Sequence, residues 1–146
     1  MKKEMKLYNV LFPVWMLMMF PVTWLVVLPG NFIIDSIVLL ICMSILKLEK
    51  GFYKSNILKI FGIGIFSDVI GSMFLFLMMF VFELGRMGDE IYLTLPACII
   101  SATCIYVFNY FITFRNCDRN LRIKLALTFA ILTAPYTFMI PSKWIY

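Results

Sequence analysis

The chain has 146 residues, of which 63% are apolar and only 14% are charged, and its formal net charge at pH 7 is +5. A soluble domain has roughly 25% charged and 45–50% apolar residues, whereas the mean hydropathy here is +0.96. The polar surface is too small to cover a water-soluble globule, so the composition excludes that class and predicts an integral membrane protein.

The N-terminal third is predicted to form a tight helical hairpin. Asp35 is the only charged residue in residues 7–46. As one helix this stretch would be about 60 Å long, roughly twice the hydrocarbon thickness of a bilayer. Its middle contains Pro29-Gly30-Asn31, which is typical of turns. We therefore expect two membrane-spanning arms, residues 10–28 and 32–46. A re-entrant hairpin and a cleaved signal peptide remain as alternatives.

Three further apolar stretches predict three more spans, at residues 60–82, 95–114 and 125–140. A polar, glycine-containing loop at residues 83–90 separates the first two of them. The predicted fold is therefore all-α. It is a polytopic membrane protein with a single domain, residues 1–146, built as a bundle of five transmembrane helices.

The distribution of basic residues predicts the orientation. If all five segments cross the membrane, only Arg86 and Lys143 of the 13 Lys and Arg lie on one face. Basic loops favour the cytoplasmic face, so we expect the cytoplasmic membrane, with the N-terminus inside and the C-terminus outside. Anionic lipids at the cytoplasmic face are the expected partners, and the net charge does not require a nucleic acid.

The residues of common catalytic and metal sites are missing or scattered. The chain has no histidine, which removes the usual general base and the usual zinc or haem ligand. Its four cysteines lack metal-type spacing, and no cluster of acidic or Ser–Lys groups indicates a membrane hydrolase. We expect no enzymatic activity, no cofactor and no bound metal.

Asp68 is the strongest candidate for a functional residue. It lies about 13–14 Å along the helix from Lys59, near mid-bilayer, where an aspartate costs at least ~2.5–3.5 kcal/mol. The small or polar residues on the same helix face are Gly64, Ser67, Gly71 and Ser72. This face would line an ion or proton pathway. The alternative is a protonated carboxyl that hydrogen-bonds to a neighbouring helix at a tight crossing.

Asp35 and Asn109 are the other polar candidates in this pathway. Asp35 follows the predicted turn and would cap the N-terminus of the second helix. Alternatively, it would form a vertical pair with Asp68 that relays a cation inward. Asn109 lies one to two helical turns from Arg115, where it would line a polar vestibule or bond to another helix.

A basic cluster follows the fourth predicted span: Arg115, Arg119, Arg122 and Lys124. Anchoring of the cytoplasmic end explains this cluster. Recognition of a lipid phosphate headgroup or of an acidic partner is the alternative.

Two stretches resemble the GtrA-like family of small polytopic membrane proteins. Pro29-Gly30-Asn31-Phe32-Ile33-Ile34-Asp35 is similar to the Gly-rich N-x-x-x-D stretch of that family. Phe108-Asn109-Tyr110-Phe111-Ile112-Thr113-Phe114-Arg115 is similar to its helix ending, in which an asparagine precedes aromatic and basic residues. The family is associated with moving lipid-linked sugars for cell-surface glycosylation, so the resemblance implies the handling of a lipid-linked carrier.

The function predicted from the residues themselves is passage of an ion, proton or small solute across the membrane, with Asp68 as the polar centre. The alternative is a non-catalytic accessory or scaffold subunit whose basic loops bind a partner protein. One copy has little interior beyond the Asp68 face, so we expect a homo-oligomer or a subunit of a membrane complex.

Overall fold

The computed structural model describes residues 21–82 and 91–139, and no strand occurs among them. Four α-helices are present in these ranges: α1 Pro21–Leu46, α2 Gly51–Phe82, α3 Ile91–Phe108 and α4 Arg119–Leu132. The end of α3 continues as a π-helical turn, Asn109–Thr113, and a 3-10 turn, Tyr136–Met139, follows α4. The prediction of an all-helical fold is confirmed.

Three of the described helices are long and apolar enough to cross a membrane, over Trp24–Leu46, Gly51–Met78 and Tyr92–Thr113. Large apolar side chains project outward from them, for example Leu25 and Phe80, as expected for surfaces that face lipid. Helix α4 has 14 residues. At about 1.5 Å per residue it is shorter than the hydrocarbon core. The described residues therefore contain three candidate spans instead of the five predicted.

The predicted hairpin at Pro29-Gly30-Asn31 is wrong. Helix α1 continues through Pro29 without interruption, so residues 21–28 and 32–46 belong to one helix. Residues 10–20 of the predicted first arm lie outside the described residues. A turn within hydrocarbon would leave several backbone groups without partners, whereas a proline inside a helix removes only one hydrogen bond. The prediction that the N-terminus lies inside assumed two membrane crossings on either side of residues 29–31. Because α1 is a single helix there, that assumption no longer supports the prediction.

The predicted fifth span, residues 125–140, is not one helix. Helix α4 ends at Leu132, and Pro135 separates it from the 3-10 turn. Proline has no amide hydrogen and disfavours a helical conformation in the residue before it, so the helix cannot continue. Phe138 in the 3-10 turn is buried and packs with Leu75 and Ala97. The chain after α4 therefore folds back onto α2 and α3.

Helix α2 lies between α1 and α3, and α4 packs on α3. The larger apolar cluster contains the fully buried side chains Leu39, Ile60, Ile105, Phe114 and Phe129. The smaller one is the cluster of Phe138 with Leu75 and Ala97. Along α2, the polar residues from 64 to 72 lie between these two clusters. The packing thus encloses the Asp68 face of α2 from both ends.

Candidate functional site

The Asp68 carboxylate lies where α1, α2 and α3 meet. Ser101 Oγ of α3 donates a hydrogen bond to Asp68 Oδ1 at 3.1 Å, and Asn31 Nδ2 of α1 donates to Asp68 Oδ2 at 3.2 Å. The Asp68 side chain is only 8% exposed. Each carboxylate oxygen is therefore held from a different neighbouring helix. We call Asn31, Asp35, Asp68 and Ser101 the polar junction.

Asp35 supplies a second buried carboxyl to this junction. It lies in the middle of α1, is 3% exposed, and interacts electrostatically with Asp68. Its Oδ2 lies 3.5 Å from the position that a Cβ would occupy on Gly64, one turn before Asp68. The predicted N-cap role of Asp35 is wrong because α1 begins far before it. Asp35 and Asp68 do lie on facing helices, but Asp35 is level with Gly64, one turn nearer to Lys59 than Asp68, and the predicted inward relay of a cation stays a prediction.

None of the three helices places a basic residue beside these two carboxyls. Helix α1 and residues 91–113 contain no Lys or Arg. In α2 the nearest basic residue is Lys59, at roughly 13 Å from Asp68 along the helix axis. An ionised carboxylate in hydrocarbon is costly unless a counter-charge accompanies it. The pair therefore needs a proton or another cation from outside these helices.

The predicted small residues of α2 divide into two groups. Gly64 lies beside the junction, facing Asp35, and Ser67 is fully buried with no hydrogen-bond partner for its Oγ among the described residues. Gly71 serves the packing, since a Cβ there would lie 3.3 Å from both the Ala97 carbonyl oxygen and Ser101 Cβ. The absence of a side chain at Gly71 thus lets Ser101 come close enough to bond to Asp68.

A cavity of about 370 Å³ opens beside Asp68, between α1 and α2. The described residues of its lining are apolar except for Asn31, Asp68 and Ser72, of which Ser72 also donates through Oγ to the Asp68 carbonyl oxygen at 2.9 Å. The remaining lining residues are Trp24, Val27, Leu28, Ile65, Val69 and Met73. A ligand in this cavity would therefore reach the carboxylate of the junction.

Asn109 lies apart from the junction, at the start of the π-helical turn. It is fully buried, its Oδ1 accepts a hydrogen bond from Thr113 Oγ1 at 2.9 Å, and its Nδ2 has no partner among the described residues. The Phe114 N–H donates to the Asn109 carbonyl oxygen at 2.9 Å, which closes the wide turn. The structure therefore does not bring the side chains of Asn109 and Asp68 together.

Arg122 is the one member of the predicted basic cluster that the fold holds in place. Its guanidinium carbon lies 3.9 Å from the centroid of the Tyr110 ring, and its Nε donates to the Tyr110 carbonyl oxygen. That carbonyl is available because the Phe114 N–H bonds to Asn109 instead. Arg122 thus joins α4 to the π-helical turn. The other three members, Arg115, Arg119 and Lys124, are exposed.

Metal binding has no candidate in residues 21–82 and 91–139. No group of three or more His, Cys, Asp or Glu side chains is arranged there to hold a metal ion. The four cysteines are free, and Cys42 and Cys98 are buried.

No protein-family model, no curated protein and no solved structure matches this chain. The resemblance to the GtrA-like family therefore stays a prediction. In the structure, the first of its two stretches lies within α1, and the second covers the π-helical turn.

Asn31 and Ser101 are the two site residues that sequence reasoning missed. The Pro-Gly-Asn pattern assigns Asn31 to a turn, and Ser101 looks like any small residue of an apolar span. One signal was available: Asn31 precedes Asp35 by one helical turn in an otherwise apolar stretch, which would place both on one face of a continuous helix. Ser101 has no comparable signal in the sequence.

Proposed function

We propose that this protein passes protons or a small cation across the membrane, and that Asp68 and Asp35 bind the transported species. The observation that carries the proposal is the pair of buried carboxyls on facing helices, with no Lys or Arg of α1, α2 or residues 91–113 beside them. A proton or cation that arrives at this pair removes a large electrostatic cost, and its departure restores that cost. Binding and release are thereby coupled to the contact between α1 and α2.

Asn31 and Ser101 would orient Asp68 during this cycle. Both donate to the carboxylate, so they favour its ionised form over its protonated form. Protonation removes the charge that strengthens these two bonds, so they weaken when the carboxyl binds a proton. Because they connect α2 to α1 and to α3, their loss would loosen the three-helix contact.

We further propose that the basic ends of α2 and α3 face the cytoplasm. Lys59 and Arg115 line one polar cavity, so the α1–α2 and α3–α4 connections lie at the same end of the bundle. The positive-inside rule places such an end in the cytoplasm. The cavity beside Asp68 then opens toward the other half of the membrane, where Trp24 lies.

Proton and cation flux into liposomes tests the proposal. Purified wild-type protein is compared with Asp68→Asn and Asp35→Asn, with a pH-sensitive dye inside the vesicles and a defined membrane potential. We expect each variant to reduce flux by about tenfold or more, which corresponds to ~1.4 kcal/mol of lost stabilisation. Asp118→Asn is the matched control, because it makes the same change at an exposed site and should leave the flux unaltered.

Two results would contradict this function: no flux from folded wild-type protein, or equal flux from the wild type and the Asp68→Asn variant at equal thermal stability. In either case we would turn to the second candidate, an accessory subunit that is not an enzyme. The exposure of Arg115, Arg119 and Lys124 favours that candidate, since three exposed cations at one end offer a binding surface to acidic partners or lipid phosphates. Their joint replacement by Gln would then abolish partner binding.

A further inference from the structure

We infer that the cavity between α1 and α2 binds an amphiphilic organic cation, with the positive group beside Asp68 and the apolar body between the helices. This inference rests on the proposed function and names the class of solute that the site takes in addition to protons. It starts from the size of the cavity. Its volume of about 370 Å³ lies within the ~300–1,000 Å³ range of small-molecule sites. A proton or a bare metal ion needs no space of this size.

The lining of the cavity determines the body of the ligand. Apolar side chains from both helices form its walls, and among its described lining residues the polar ones are Asn31, Asp68 and Ser72. Burying an apolar body against such walls is favourable by roughly 25 cal/mol per Å² of apolar surface. A strongly hydrated solute would lose its water there without replacement hydrogen bonds, which is costly. The ligand must therefore be mostly apolar.

The charge of the ligand follows from the two carboxyls. Asp68 lines the cavity, and Asp35 on the facing helix is close enough to interact electrostatically with Asp68. The two carboxyls would therefore repel an anion. A neutral ligand would leave the carboxylate without a counter-charge. A cation supplies that charge, and the Asp68 carboxylate keeps lone pairs free beyond those used by Asn31 and Ser101.

An inorganic cation fits the cavity poorly. Ca²⁺ takes six to eight oxygen ligands and Mg²⁺ requires six in near-octahedral geometry. The cavity presents side-chain oxygens only from Asn31, Asp68 and Ser72. An organic ammonium or phosphonium ion needs a counter-charge and apolar contact instead of a full coordination shell. Trp24 at the cavity wall adds an aromatic face of the kind that attracts such cations.

The route into the cavity also suits an amphiphile. Trp24, Val69 and Met73 line it and are 41%, 36% and 55% exposed, so the cavity opens on the apolar outer surface of α1 and α2. That surface faces the hydrocarbon in a membrane. A molecule that concentrates in the bilayer would therefore reach Asp68 from the side without crossing a water-filled pore.

The test uses tetraphenylphosphonium as the probe and tetraphenylborate as its match in shape with the opposite charge. Binding of each ion to the full chain in detergent micelles is measured by equilibrium dialysis. We expect saturable binding of tetraphenylphosphonium at one site per chain and no saturable binding of tetraphenylborate. Asp68→Asn should weaken the binding of the cation by about tenfold or more, as expected for the loss of a buried counter-charge.

A second variant keeps the inference testable if Asp68→Asn fails to fold. Val69→Phe narrows the cavity and leaves both carboxyls in place, so it should also weaken cation binding by about tenfold. Val107→Phe is the matched control, since Val107 is 37% exposed, does not line the cavity and lies on α3. That variant should bind tetraphenylphosphonium as the wild type does.

Saturable binding of tetraphenylborate with equal affinity would overturn the inference. So would cation binding that neither Asp68→Asn nor Val69→Phe reduces, because such binding would be partition into the micelle. Different results would refute the ligand class and the proposed transport. Asp68-dependent proton flux without cation binding refutes only the ligand class, whereas cation binding without any flux refutes the proposed transport.

Discussion

The polar junction at Asp68 and the π-helical turn at Asn109 both bury polar side chains within apolar helices, but their side-chain hydrogen bonds have different kinds of partner. Asp68 accepts hydrogen bonds from side chains of two other helices. Asn109 accepts its bond from Thr113 of the same helical segment. An interhelical bond breaks when the helices move apart, whereas a local bond persists. The proposed function therefore couples ligand binding to helix movement at the junction, whereas the turn is a local feature of the fold.

The largest expected effect on stability comes from the glycine that brings α3 close to the junction. Gly71→Leu would place side-chain atoms against the Ala97 carbonyl oxygen and Ser101. We expect a loss of about 1–3 kcal/mol in the free energy of unfolding, together with loss of Asp68-dependent flux. Unfolding in detergent, followed by circular dichroism, measures the first effect. Gly62→Leu is the control, because Gly62 is exposed with open space around it; equal losses in the two variants would disprove the close contact.

A double-mutant cycle sharpens the interhelical side of the comparison. Ser101→Ala removes one donor to Asp68, and we expect its effect on stability to depend on whether residue 68 is Asp or Asn. The coupling should be about 0.6 kcal/mol, the average for such bonds in membrane helices. Thr103→Ala is the control, since the Thr103 hydroxyl bonds to the Ile99 carbonyl oxygen of its own helix. Coupling of the same size for Thr103 would show that the cycle does not report on the junction.

Arg122 tests the local side of the comparison. Arg122→Lys keeps the charge but loses the planar group that lies over the Tyr110 ring and bonds to its carbonyl oxygen. We expect a loss of about 0.5–1 kcal/mol in stability with no change in flux, because the junction is not involved. Arg119→Lys, at an exposed position, should have no effect in the same unfolding measurement. A loss of flux in Arg122→Lys would show that the turn and the junction act together.

The smallest expected effect concerns Cys117, after the π-helical turn. Burial raises the pKa of its thiol, Asp118 raises it further, and Arg122 lowers it. Less thiolate is then present at pH 8, so Cys117 should react with iodoacetamide several-fold more slowly than an exposed cysteine, and its rate should keep rising at higher pH. The comparison uses Asn116→Cys in a Cys117→Ala background, with the other three cysteines replaced by Ala in both proteins. Equal rates would show that Cys117 is as accessible as its exposed neighbour.

The prediction of the N-terminal hairpin failed for a reason that concerns solvent. Pro29 and Gly30 form a turn signal because water can bond to the backbone groups that a turn exposes. Helix α1 instead keeps its backbone bonds internal and continues through both residues. This continuity places Asn31 and Asp35 on one helix face toward α2, whereas the hairpin prediction put Asp35 at a helix end. The wrong hairpin and the wrong N-cap role of Asp35 therefore have the same cause.

Composition and local chemistry were enough to predict the helical fold and the presence of helices that are apolar enough to cross a membrane. They also identified Asp68 as a costly residue in an apolar stretch, because the cost of a carboxyl in hydrocarbon rises with its depth, and position in the sequence indicates that depth. Only the tertiary structure decided that Asn31 and Ser101 hold this carboxylate, that Asp35 faces Gly64, and that a cavity opens beside them. These contacts depend on how separate helices cross and in which register they pack. The periodicity of each helix taken alone does not specify either.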